Sequence, residues 1–309
     1  MFYVISEPLR VAYTFLRITL TSAKALKQFP TEPHHWLFGH LTVHPGPGHE
    51  GLAKSLEWGQ KNPRYYVLHL GPLRPVPVLN HPETVKQILK TAEPKNFIGG
   101  GGYQFLRPWI GDGLLLSSGD KWFRNRKLLT PGFHFDVLKP YMEVYNVCLD
   151  EMLDKFLIST FRYKPIDIYK PISLCTLDII LRCAFSRKRN IQSNEFGVDP
   201  YVNTVGSMAK AIVTRAMNPI FYFDSIYYRS KTGKQFRDDC NYSHQIADEV
   251  ISKRQQELKD SSGDKSAKRK YVDFLDILLL ARDEEGNGLT KQEIRDEVET
   301  FMFEGISQS

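Results

Sequence analysis

Trp122 and Arg126 stand four residues apart in Lys121-Trp-Phe-Arg-Asn-Arg126, a spacing that puts an indole N–H and a guanidinium on one face of a helix. Together they could clamp a carboxylate, because the guanidinium fork matches two carboxylate oxygens. The plainer reading of the same residues is a half-buried Trp beside a solvated Arg. Arg124 falls about 200° around the helix from Trp122, so with Lys127 it forms a separate basic edge, either solvated or suited to an acidic partner. Glu304 closes an apolar run containing Val298, Phe301, Met302 and Phe303. A buried, unpaired carboxylate there is costly, which makes it a candidate functional group; the alternative is a frayed, solvated helix end.

The stretch Ile98-Gly-Gly-Gly-Gly-Tyr103 invites comparison with phosphate-binding loops. No Gly-Lys-Ser/Thr follows, and the order of strand, loop and helix is wrong. Phe97 to Gly113 is instead expected to be a loop carrying Tyr103, Phe105, Leu106 and Trp109, which fit an apolar pocket wall and plain core equally well. Cys148, Cys175, Cys183 and Cys240 lie in apolar or helical contexts without Cys-x-x-Cys spacing or neighbouring histidines. They read as buried free thiols in a reducing environment.

The elements that position these residues are mostly helical. Pro30, Pro33, Pro45 and Pro47 rule out a helix between Phe29 and Gly51. Tyr65 to Leu70 and Val76 to Leu79 alternate as a short hairpin. Helices are predicted over His81 to Lys90, from an Asp120 cap through Leu129, and over Pro140 to Leu157, Ile172 to Phe185, Tyr201 to Arg215 and Gly233 to Leu258. Asp273 starts a further helix that Gly286 and Gly288 end, and Thr290-Lys-Gln-Glu293 is a capping box for the last one. The fold class is therefore mainly α with a small β hairpin. Lys259 to Lys270 reads as a charged loop within it.

The chain has 309 residues, 42% of them hydrophobic and a net charge of +6. That composition argues for a globular core. Basic residues interleave with acids, as on solvated helix faces, and no nucleic-acid-binding motif is present, so nucleic acid is not an expected partner. Glu7, Arg10 and Arg17 interrupt every candidate spanning run in residues 1–28. Val11, Phe15 and Ile18 share one face, which suits an interfacial membrane anchor or an ordinary surface helix.

Gly111 to Tyr141 (GDGLLLSSGDKWFRNRKLLTPGFHFDVLKPY), Pro33 to His40 (PHHWLFGH), Tyr271 to Gly286 (YVDFLDILLLARDEEG) and Glu293 to Gly305 (EIRDEVETFMFEG) together resemble the N-terminal part of cytochromes P450, specifically the fatty-acid omega-hydroxylase type of their fourth family. The resemblance covers Phe29 to Gly305. It implies a cytochrome P450 fold cut in its central helix, with domains at residues 1–28 (membrane-associated), 29–305 (incomplete cytochrome P450) and 306–309 (a non-homologous tail). It also implies haem b, a propionate of which Trp122 and Arg126 would bind, and an ester between Glu304 and a haem methyl. Tyr103, Phe105, Leu106 and Trp109 would contact substrate, with Leu114, Leu115 and Leu116 lining the pocket roof. The implied partners are a lipophilic substrate, the cytosolic face of the endoplasmic reticulum membrane and an NADPH-dependent flavoprotein reductase, for which Arg124 and Lys127 are candidate docking residues.

Three family features are not found. No cysteine sits in a Phe-x-x-Gly-x-x-x-Cys-x-Gly loop, so the axial thiolate is missing. Glu-x-x-Arg occurs only at Glu7 to Arg10, ahead of the fold and across a proline, and Gly305 is followed by Ile306-Ser-Gln-Ser309 rather than an acid and a threonine. The expectation is a chain without catalysis of its own, or else a non-enzymatic fragment that binds membrane or reductase.

Overall fold

The computed structural model describes residues 17, 20–21, 24–46, 48–71, 75–91, 102–160, 168–185, 200–261 and 273–307. Nearly all of the expected N-terminal anchor, the four-glycine run and most of the charged loop lie outside the described residues. The chain divides into two compact units, residues 1–101 and 102–309. The described part is mainly helical with a single two-stranded sheet, as the patterning implies.

In the first unit a helix, α1 (His49–Lys61), precedes the antiparallel strands β1 (Tyr65–His69) and β2 (Pro75–Leu79), in register from Tyr65↔Leu79 to His69↔Pro75. Pro75 and Pro77 cannot donate to a ladder, which confines β2 to an edge. β1 is also flanked by the proline-rich segment, since Val67 N–H donates to the Pro30 carbonyl (2.9 Å) and Thr31 Oγ1 to the Val67 carbonyl (2.9 Å). His40, almost fully buried, accepts from His69 N–H on Nδ1 (2.8 Å), so Nε2 is the nitrogen that donates to the Glu32 carbonyl (3.0 Å). Helix α2 (Pro82–Ile88) follows, its first turn fixed by Pro82 and by the His81 side chain accepting from Glu83 N–H.

The second unit holds α3 (Tyr103–Ile110), α4 (Gly119–Leu129), the single turn α5 (Phe135–Leu138), α6 (Tyr141–Thr160), α7 (Tyr169–Ala184), α8 (Pro200–Met217), the single turn α9 (Asp224–Tyr227), α10 (Lys231–Ser261), α11 (Phe274–Leu280) and α12 (Lys291–Ser307). Apolar faces pair α6 with α7, α7 with α12, α8 with α10 and α10 with α12. Leu177, Met208, Ile251, Leu275, Leu278, Val298 and Met302 are all sealed from solvent, each burial contributing about 1.5–3 kcal/mol.

Helix α1 begins at His49, inside the stretch expected to hold no helix, several other helix ends shift by up to three residues, and three changes bear on the site. The stretch read as loop forms α3, because Phe105, Trp109 and Ile110 share a face and bury it, outweighing the Pro108 defect inside the helix. The helix after Asp273 stops at Leu280 rather than at Gly286. Asp273 and Asp276 form a capping box at its start, but beyond Ala281 the backbone folds over the Asp283 carboxylate, which accepts from Glu285 N–H (3.1 Å) and Asn287 N–H (2.7 Å). Helix α4 begins at Gly119 with Ser118, not Asp120, at its cap. The Thr290–Glu293 box forms as the sequence predicts: Glu293 Oε2 accepts from Thr290 N–H (2.8 Å), and Thr290 Oγ1 from Glu293 N–H (3.2 Å).

Candidate cofactor and substrate site

Asn125, Leu128 and Leu129 face inward from α4 and fix its rotation. Trp122 and Arg126 then lie together on one flank. Trp122 is half-buried and meets Phe123 edge-on at 5.2 Å. Arg126 is exposed, and neither its guanidinium nor the Trp122 indole N–H has a polar partner among the described residues; only the Arg126 carbonyl is engaged, by Thr130 Oγ1 at 2.7 Å. Two donors left open side by side suit a bidentate carboxylate.

Arg124, on the opposite flank, is bonded within the chain. Its guanidinium donates to Asp283 (2.8 Å), Glu293 (3.4 Å) and the Gly288 carbonyl (2.9 Å), and Lys127 pairs with Glu284. The expectation of two solvated or partner-docking cations is thus corrected for Arg124: the pairs fasten α4 to the loop after α11.

Glu297 and Asp296 of α12 hold the turn that carries the three leucines. Glu297 has no exposed surface and accepts from Leu114 N–H (3.0 Å) and from Asn125 Nδ2 (3.1 Å). Asp296 accepts from Asp112 N–H (3.0 Å). The approach is so close that Gly113 has room only for hydrogen: a Cβ there would lie 2.6 Å from Thr300 Oγ1 and 2.8 Å from the Asp296 carbonyl. Desolvation pushes the Glu297 carboxyl up to about 7, against its two hydrogen bonds.

Of the predicted substrate residues, Phe105, Trp109 and Leu116 are fully buried, Leu106, Leu114 and Leu115 are half-buried, and Tyr103 is exposed. Phe105 packs under the Arg215 guanidinium (4.5 Å to the ring) and against Tyr222 (5.3 Å). Trp109 Nε1 donates to Ser243 Oγ (3.2 Å), Ser243 donates to Glu299 (3.1 Å), and His244 Nδ1 lies 2.7 Å from the same carboxylate. This buried chain ties α3 to α10 and α12. The side-chain bond to Glu299 raises the His244 pKa, and burial raises that of Glu299. Trp109 also meets Phe303 edge-on at 4.9 Å, one residue from the half-buried Glu304.

All four cysteines are buried free thiols. Burial pushes Cys175 up to about 11 and Cys148, Cys183 and Cys240 up to about 12, which leaves each protonated.

These features belong with a shared ancestry. A cytochrome P450 family profile matches residues 29–308, so the chain belongs to the cytochrome P450 family. It is 38% identical over 302 residues to the ultra-long-chain fatty acid omega-hydroxylase of Homo sapiens, covering 94% of this chain and 56% of that protein. It is also 38% identical to cytochrome P450 4A6 of Oryctolagus cuniculus (91% and 54%) and 35% identical to cytochrome P450 4F11 of Homo sapiens (98% and 57%). These matches bear out the resemblance to the fourth family. The chain spans little more than half the length of these relatives. The profile runs three residues past Gly305, and α12 likewise continues through Ile306 and Ser307.

The family implies haem. The open donors of Trp122 and Arg126 fit a carboxylate at the rim of such a group. The residues that sequence reasoning passed over are Asn125, Asp296, Glu297, Ser243, His244 and Glu299. A visible signal was the run Asp296-Glu-Val-Glu299, where three acids in four residues interrupt an otherwise core-facing helix.

Proposed function

We propose that these residues form part of a membrane-bound haem-thiolate monooxygenase that hydroxylates long-chain fatty acids. The unpartnered Trp122 and Arg126 pair carries this reading. In it, Trp122 Nε1 and the Arg126 guanidinium would hold a haem propionate, and Glu304, near the end of α12, would be the carboxylate available to a haem methyl, an ester link there needing oxidation of that methyl as well. Bound haem supplies oxygen activation and transfer of one oxygen atom, with electrons from an NADPH-dependent flavoprotein reductase. α3 and the Leu114–Leu116 turn exclude water and shape an apolar space beside it. The thiolate ligand comes from the part of the relatives' length that these 309 residues do not span. On their own they therefore bind no iron through sulfur and do not catalyse. Residues 1–28 would hold the protein on the cytosolic face of the endoplasmic reticulum membrane. The names of the omega-hydroxylase relatives support the substrate class.

The experiment is haem titration of the purified 309-residue chain, followed by the absorption spectrum of its reduced, carbon-monoxide-bound form. Expected are haem binding that weakens in Arg126→Gln and Trp122→Phe, and no thiolate-type band. A thiolate-type band from this chain would refute the claim of inactivity. Absence of haem binding, with reductase binding retained, would favour a non-enzymatic interaction protein.

A further inference from the structure

A cleft lies between Pro108 of α3 and the Phe236 to His244 stretch of α10. It measures about 360 Å³ and is lined by Pro108, Tyr228, Phe236, Cys240, Arg237, Asn241 and His244, which puts it at the lower end of the size range of small-ligand sites. Its walls are mostly apolar. Its polar groups differ in how far they are already used. His244 is committed to Glu299 at 2.7 Å. Arg237 and Asn241, one helical turn apart on α10, are both exposed at the rim. Arg237 donates one N–H to the Tyr228 carbonyl (3.0 Å) and stacks on the Tyr228 ring (5.2 Å). It has no carboxylate partner among the described residues, and the Asn241 amide has no hydrogen bond there.

Three acids of this region accept hydrogen bonds from other groups rather than from Arg237. Glu299 is bound by His244 and Ser243, Asp239 by Ser207 and Gln235, and Asp224 by Arg215. An apolar slot with a guanidinium that no carboxylate bonds and an open amide at its edge matches an amphiphile with a carboxylate head.

We propose that this cleft anchors the carboxylate end of a long-chain acid, with Arg237 as the bidentate contact and Asn241 as a second donor. The proposal rests on the fatty-acid reading above and deepens it. Oxidation at the end of a chain remote from its carboxylate requires that the head be held away from the reacting centre. Trp109 bridges the two regions: it bonds to Ser243, next to His244 in the cleft wall, and packs on Phe303, next to Glu304.

The test is calorimetric titration of the 309-residue chain with dodecanoate and with methyl dodecanoate, which share a tail and differ in charge. The wild-type chain is expected to bind the acid about tenfold more tightly, the size of one charge-assisted contact. Arg237→Gln should erase that preference without changing the affinity for the ester, and Arg237→Lys should retain part of it. Arg237 is exposed, and circular dichroism verifies the fold of each variant. Equal binding of acid and ester by the wild-type chain, or a preference that survives Arg237→Gln, overturns the anchor while leaving the fatty-chain reading standing. Failure of both ligands to bind overturns the fatty-chain reading and the anchor with it.

Discussion

Glu297 offers a quantitative handle on how α12 grips the rest of its unit. The carboxyl is completely buried, and desolvation, resisted by bonds from Leu114 N–H and Asn125, moves it from an ordinary 4.5 up to about 7. At 1.36 kcal/mol per tenfold change in proton affinity, full ionisation costs the folded state roughly 3 kcal/mol. The sign follows from which state keeps the proton. Between pH 4.5 and 7 the folded chain holds it while the unfolded chain has released it, so stability falls as pH rises through that window and levels off above it. Between pH 5 and pH 8 the loss is about 2.5 kcal/mol.

Glu297→Gln preserves the shape and the acceptor for Leu114 N–H but has no proton to lose. Other titrating groups, His244 and Glu299 among them, are present in both proteins and cancel in the comparison. The expected outcome is that Glu297→Gln gains about 2.5 kcal/mol relative to the wild-type chain on going from pH 5 to pH 8. The measurement is urea unfolding followed by circular dichroism at half-unit pH intervals. A difference between the two proteins that stays constant across the range would refute the assignment of a neutral, buried carboxyl to Glu297.

Arg254→Met should be among the most damaging single changes. The guanidinium bonds Asp276 through Nε (2.9 Å) and Nη2 (2.8 Å) and pairs with Asp273 at 3.2 Å, and both acids are fully buried. Its removal strands two charges at a cost of about 3–5 kcal/mol, readable as a fall in the urea midpoint. Gly113→Ala forces a methyl against Thr300 and the Asp296 carbonyl and should cost about 1–3 kcal/mol by overpacking, seen as a lower thermal midpoint. The four thiols, protonated by burial, should be inert to an aromatic disulfide reagent at pH 8 and all react once the chain is unfolded in guanidinium; fast reaction of any native thiol contradicts the burial.

Helix identity was legible where the signal was local. The Thr290 box, the hairpin and the long α10 follow from capping, alternation and periodicity. Those signals misled where tertiary contacts dominate. Four glycines and Pro108 advertise a loop at Tyr103–Ile110, yet the burial of Phe105, Trp109 and Ile110 stabilises a helix. Asp283 cuts α11 short because its carboxylate gathers the neighbouring loop amides of Glu285 and Asn287 and, from far away in sequence, the Arg124 guanidinium. On α4 the sequence leaves Arg124 and Lys127 either solvated or free for an acidic partner. Only the three-dimensional pairing of Arg124 and Lys127 leaves the Trp122 flank as the one with donors to offer.

The buried acids of α12 sharpen that asymmetry into a division of labour. Asp296 and Glu297 accept backbone N–H groups from the turn between α3 and α4, and Glu299 accepts from Ser243 and the His244 ring. α12 therefore organises its neighbours through three acids within four residues that accept their hydrogen bonds. Past Thr300 its character changes to Phe301, Met302 and Phe303, with contacts to Phe133, Phe274 and Trp109. The polar half fixes where α3 and α4 stand, and with them the open Trp122 and Arg126 donors. The apolar half leads to Glu304. A substitution in the first half should thus disturb placement of the rim donors without touching them, whereas one in the second should alter only the apolar space beside Trp109. Haem titrations of Glu297→Ala and Phe303→Leu separate the two: the first should weaken haem binding as Arg126→Gln does, and the second should leave it unchanged. Equal weakening by both would show that the two halves of α12 act as one.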